Sequence, residues 1–136
     1  MEGASHLKLS KLWWGLGWLL ITLILYLSLI PNPPKPVDLD GFDKLEHMLA
    51  YCALMAWFSQ LQRATLQLLR NALLFIAMGI GVEILQGLSG YRDFEFADML
   101  ANSVGVLLGW VLSVYLCKAC LRVVDSKLAG LTSSSS

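Results

Sequence analysis

The polar residues that could do chemistry in this 136-residue chain are few, and they gather at the ends of hydrophobic segments. Asp43, Lys44 and His47 stand together. Asp43 and His47 are four apart and share a helix face, and Tyr51 continues that stripe. Glu83 and Gln86 are three apart. Arg92 follows, and then Asp98 and Asn102, four apart, with Gly105 and Gly109 on the same line. Eight of the ten carboxylates, with His47 and Arg92, fall at such segment ends. A charge at bilayer depth costs about 2.5–3.5 kcal/mol on insertion scales, so residues of this kind are expected to be buried, paired and functional.

Three chemistries fit that set. Arg92, Lys44 and His47 could hold an anionic group, with the arginine suited to bidentate phosphate contact. Glu83 or Asp98 would then serve as general base, since partial burial favours the neutral carboxyl, and His47 as general acid. Alternatively Asp43, His47, Glu83 and Asp98 could ligate a metal, although zinc sites usually draw on more His or Cys than the one His available here. No metal or other cofactor is expected. The third possibility is scaffold: Lys44 or Arg92 neutralises Glu83 and Asp98, while Gln86 and Asn102 hydrogen-bond across helices.

The elements that must position these residues are apolar. Hydrophobic residues make up 57% of the chain and charged ones 15%, with a mean hydropathy of +0.63. A soluble domain carries about 25% charged residues. A membrane-spanning helix needs roughly 20 apolar residues. Four segments approach this: about 12–31, 43–62, 68–88 and 96–117. The first has no charge from Leu12 to Pro34. Its core is longer than the 7–15 residues typical of a signal peptide and no small-x-small cleavage site follows, so it reads as an uncleaved anchor ahead of a stiff Pro31–Pro36 linker. Short connections, Gln62–Gln67 and Ser89–Glu95, make the last three helices antiparallel neighbours. The expectation is an all-α polytopic membrane protein of four transmembrane helices, a single domain over 1–130, and a disordered tail over 131–136.

Several secondary features follow. Trp13, Trp14 and Trp18 have the placement of an interfacial aromatic belt. Ala101, Gly105, Gly109 and Ser113 form a small-xxx-small ladder. It could pack helices within one chain, or form a homodimer through Gly105 and Gly109, with Gly79 and Gly81 as a matching surface. Cys117 and Cys120 have redox spacing but would close a helix on a reducing side, so reduced thiols are expected. Lys8, Lys11, Arg63, Arg70, Lys118, Arg122 and Lys127 lie on one side of the membrane, against Lys35, Lys44 and Arg92 on the other. The basic excess places both termini in the cytoplasm and the acidic cluster outside. Zero net charge argues against a nucleic-acid partner.

The ordered set Asp43-Lys44-x-x-His47, Glu83-x-x-Gln86, Arg92 and Asp98-x-x-x-Asn102-x-x-Gly105-x-x-x-Gly109 resembles the VanZ-like family of small membrane proteins. The resemblance covers roughly Asp43 to Gly109. One departure is Gly90-Tyr91, where the family often has a Pro-Gly pair before its arginine. The resemblance implies a bacterial cytoplasmic-membrane protein, and through the family's best-known member an association with teicoplanin resistance. The ligand set expected on these grounds is Asp43, Lys44, His47, Glu83, Gln86, Arg92, Asp98 and Asn102. Its expected partners are membrane lipids and an envelope lipid head group, peptidoglycan precursor or glycopeptide-related ligand. An enzyme acting on a lipid phosphate and a structural, partner-binding protein stay open beside it.

Overall fold

The computed structural model describes residues 7–32, 41–116 and 119–133. Lys35 and the Pro33–Pro36 part of the linker, Cys117 and the last three residues lie outside them. The described chain is five helices: α1 (Ser10–Leu29), α2 (Phe42–Leu61), α3 (Thr65–Ser89), α4 (Phe96–Tyr115) and α5 (Cys120–Ser133). The first four match the expected segments to within a few residues at each end.

Three of them, α1, α3 and α4, are long and apolar enough to cross a membrane. α2 has the length, 20 residues, but carries Asp43, Lys44, Glu46 and His47 in its first turns. Its place in the fold accounts for that composition. α2 packs on α1, α3 and α4 alike, so protein surrounds much of it. The exterior of the other helices is apolar, with Leu66, Leu73, Leu74, Ile84 and Leu88 of α3 exposed, while Glu83, Gln86, Asp98 and Asn102 are buried. Such a distribution, apolar outside and polar within, suits lipid rather than water.

The tightest pairing is α2 on α4. Asp98, Asn102, Gly105, Val106, Gly109 and Ser113 form one buried stripe along α4. A Cβ at Gly105 would fall on the Met48 carbonyl, and one at Gly109 on the Cys52 carbonyl, so the two backbones touch where side chains are absent. The glycine ladder is therefore filled by α2 of the same chain at Gly105 and Gly109. Gly79 meets Asn102 of α4, whereas Gly81 has nothing within 4 Å.

The aromatic expectation also changes. Trp13 is 6% exposed and stacks near Trp57, with ring centroids 6.0 Å apart, and Trp14 sits edge-on to Phe58 at 5.7 Å. Trp18 alone of the three faces outward, 61% exposed. Burial of Trp13 is possible because its indole N–H has a partner: it donates to Asp125 Oδ1 at 2.8 Å. That carboxylate belongs to α5, which the tail expectation left out. The chain is helical through Ser133 rather than disordered from 131. Cys120 opens this helix and is disulfide-bonded, against the expected reduced thiol, which assumed a pair closing a helix; Cys52 is the free cysteine among the described residues.

The α2–α4 contact gives a direct prediction. Gly105→Leu must push α4 away from the backbone of α2, and overpacking of this kind costs about 1–3 kcal/mol. Thermal unfolding in detergent should show a clearly lowered midpoint for Gly105→Leu and little change for Gly81→Leu.

Candidate functional site

The N-terminal ends of α2 and α4 and the C-terminal end of α3 meet at one end of the bundle. Each contributes a pair of residues four apart, hence on one face. α2 supplies His47 and Tyr51, α3 supplies Gly79 and Glu83, and α4 supplies Asp98 and Asn102. The absence of a side chain at Gly79 is what lets Asn102 lie against α3.

The outer layer of the cluster is ionic. Lys44 Nζ lies 2.6 Å from Glu95, 3.3 Å from Asp43 and 3.4 Å from Asp98. Asp98 is 3% exposed, while the lysine side chain is 36% exposed, so this is a half-buried bridge between α2 and α4. His47 continues it inward. Its Nδ1 is 3.1 Å from Asn102 Oδ1 and its Nε2 is 4.0 Å from Asp98 Oδ2.

The inner layer is centred on Glu83, which has 0% exposure. Its Oε1 accepts the backbone N–H of Glu95 at 2.6 Å. Glu95 is the N-cap residue of α4 and its own side chain makes no cap bond. A carboxylate of α3 thus closes the N-terminus of α4, where the helix dipole and free N–H groups favour negative charge. Gly90, in the left-handed region at φ 79°, ends α3 and starts the return to α4.

Three buried polar atoms of this cluster have no partner, Tyr51 Oη, Glu83 Oε2 and Asn102 Nδ2, while Asp98 Oδ1 has only the ion pair with Lys44. All three residues are at most 1% exposed. Leaving a buried polar group unpaired costs about 1–3 kcal/mol. Native interiors leave few such groups, so three in one cluster is unusual.

Most of the expected site residues come together here: Asp43, Lys44, His47, Glu83, Asp98 and Asn102. Two do not join them. Gln86 is buried but donates to the Ser28 carbonyl at 2.7 Å, tying α3 to the end of α1. Arg92 lies half-buried in the α3–α4 connection and makes no ion pair among the described residues. Two contributors escaped the sequence reading. Glu95 stands three residues before Asp98, the spacing of an N-cap residue and the first turn it leads. Tyr51 was on the His47 stripe but was given no role there.

The grouping also redistributes the expected roles. Lys44 is held by three carboxylates and is not available to seize an anion. The acidic ligand atoms within 4.8 Å of one another belong to Asp43, Glu95 and Asp98, not to a set with His47 and Glu83. The ammonium of Lys44 sits among those three atoms, as a cation would.

Comparisons with models of known protein families, with curated proteins and with solved structures found no match.

The ion cluster makes a measurable prediction. Exposed ion pairs contribute about 0–1 kcal/mol, while removing one partner of a buried pair can cost about 3–5 kcal/mol. Lys44 and Asp98 lie between these limits. A double-mutant cycle of Lys44→Met and Asp98→Asn, read by unfolding in detergent, should give a favourable coupling of about 1 kcal/mol.

Proposed function

We propose that this chain is a VanZ-like multipass protein of the bacterial cytoplasmic membrane whose outward-facing polar cluster binds a cell-envelope lipid head group or a glycopeptide-related ligand. In this reading α2 is the fourth membrane span, both termini are cytoplasmic, and a contribution to glycopeptide resistance is the expected phenotype. The observation that carries it is the set of three buried polar atoms without partners, at Tyr51, Glu83 and Asn102. Glue between helices is satisfied by the helices it joins; a site prepared for a ligand keeps groups that only the ligand completes.

The charge balance points to the ligand's chemistry. Asp43, Glu95 and Asp98 share a single lysine, and Glu83 makes no ion pair among the described residues. The complementary group is therefore rich in donors: hydroxyls of a sugar or glycerol, or an ammonium. A bare phosphate suits this cluster poorly, which counts against the second reading, a membrane enzyme acting on a lipid phosphate. Within that second reading His47, Glu83 and Asp98 are the catalytic candidates, and His47 lies close enough to Asp98 to be oriented by it.

Glu83→Gln separates site from scaffold. Glutamine keeps an oxygen to accept the Glu95 N–H and replaces only the oxygen that has no partner. The expected outcome is near-normal thermal stability in detergent with loss of co-purified lipid or of resistance. Tyr51→Phe deletes another orphan atom and should likewise leave stability unchanged or raise it. Strong destabilisation by both would make the cluster scaffold.

The topology is tested separately. A reporter that fluoresces only in the cytoplasm, fused after Lys127, should be bright. A dark fusion with intact protein on a blot would turn the cluster inward.

A further inference from the structure

The three partnerless atoms of the polar cluster lack different things, and the difference narrows what can complete them. Glu83 Oε2 is the free oxygen of a carboxylate whose other oxygen already accepts the Glu95 N–H, so it needs a donor. Asn102 Nδ2 is an amide nitrogen, which only donates, so it needs an acceptor. The other side of that amide is occupied: Asn102 Oδ1 lies 3.1 Å from His47 Nδ1. An amide oxygen only accepts, so this ring nitrogen carries the proton and donates. Tyr51 Oη can do either.

Contacts between the helices set the levels of these atoms. α3 and α4 run antiparallel, with Gly79 against Asn102 and Gly87 against Phe94. Midway between those contacts, Glu83 stands level with Asp98, one turn outward of Asn102. A turn rises about 5.4 Å. On α2, His47 reaches Asn102 and Tyr51 lies one turn further in. Helical side chains lean toward the start of their own helix. α2 and α4 both start at the outer end, so Tyr51 leans back toward the level of His47, and Asn102 toward the level of Glu83. The acceptor at Glu83 and the donor at Asn102 are therefore about one turn apart along the bundle. Two hydrogen bonds of about 2.8 Å meeting at one shared atom span that height.

The shared atom must accept and donate at once. An ammonium has donors and no acceptor, so it would satisfy Glu83 and leave Asn102 unpaired. An ionised phosphate accepts and does not donate, so it would satisfy Asn102 and leave Glu83 unpaired beside a second negative charge. A hydroxyl satisfies both. We infer that the cluster selects a head-group hydroxyl, of glycerol or of a sugar, which donates to Glu83 Oε2 and accepts from Asn102 Nδ2, with Tyr51 Oη completing it. Asn102 is then the residue that separates hydroxyl from ammonium. The inference rests on the proposed ligand site at this cluster and narrows its ligand to one functional group. Leaving either buried partner unpaired is what makes the discrimination steep.

The test uses the full chain in nanodiscs of phosphatidylcholine carrying equal minor shares of four lipids. Phosphatidylglycerol and a glucosyl diacylglycerol bear hydroxyls, phosphatidylethanolamine bears an ammonium, and phosphatidylmethanol bears a phosphodiester with neither. Native mass spectrometry after gentle extraction counts what the protein keeps. At least one hydroxyl lipid should be retained about tenfold over the ammonium and methanol lipids, the effect of one hydrogen bond to a charged group. Whichever it is names the source as glycerol or sugar. Asn102→Asp puts an acceptor where the donor was and should raise phosphatidylethanolamine above the hydroxyl lipids. Tyr51→Phe removes only a partnerless oxygen and should lower hydroxyl-lipid retention severalfold at an unchanged thermal midpoint; it carries the test if Asn102→Asp does not fold. Phosphatidylethanolamine or phosphatidylmethanol retained above the hydroxyl lipids by the wild type overturns the inference and leaves the head-group reading standing. Equal retention of all four, or none from a folded protein, overturns both. An unchanged lipid order in a folded Asn102→Asp protein, or unchanged retention in Tyr51→Phe, also overturns the inference.

Discussion

Two backbone contacts, Gly105 on the Met48 carbonyl and Gly109 on the Cys52 carbonyl, bring α2 and α4 together and set the geometry of the polar cluster. In lipid, apolar burial supplies no driving force between helices, so close backbone approach and interhelical polar contacts must do the joining. With α2 seated in the glycine groove, His47 comes within reach of Asp98 and Asn102, and Lys44 meets the carboxylates above them. Glu83 then closes the start of α4 from α3. A side chain at Gly105 would move every one of these distances.

The two ends of the bundle handle buried charge in opposite ways. Asp125 accepts three donors through its two oxygens and holds α5 on α1, which is what a structural carboxylate should do. Glu83 keeps one buried oxygen without a partner, although its other oxygen joins α3 to α4, and Asp98 Oδ1 has only its ion pair with Lys44. The contrast within one molecule separates scaffold from site more sharply than the polar content of either end. It also assigns Lys44 a place in the architecture: its ammonium joins α2 to α4 and partly neutralises the acids, rather than offering charge to a phosphate.

Much of this was legible from spacing. The pairs Asp98–Asn102 and His47–Tyr51 are four apart, and a helix puts each on one face, so short loops bring them to one end of a bundle. Gln86 obeyed the same periodicity and still went elsewhere, because its carbonyl partner on α1 belongs to a helix separated by a linker that carries no pairing signal. Trp13 read as an interfacial residue because nothing local announces that a carboxylate 112 positions away will take its indole N–H. α5 was missed for a related reason. It has 14 residues, too short and too polar to read as a span, and nothing in its sequence announces the contact at Asp125. Glu95 was hidden by its loop position, since its contribution combines a backbone N–H given to Glu83 with a side chain given to Lys44.

The central claim is that the orphan atoms at Tyr51, Glu83 and Asn102 are completed by an envelope ligand. Native mass spectrometry of the wild-type protein, released gently from membranes with its lipids, tests it most directly. The account predicts one retained species with a hydroxyl- or ammonium-bearing head group, strongly enriched over its share of the bulk membrane. Retained lipid that merely mirrors the bulk composition, or none at all from a folded protein, would contradict it.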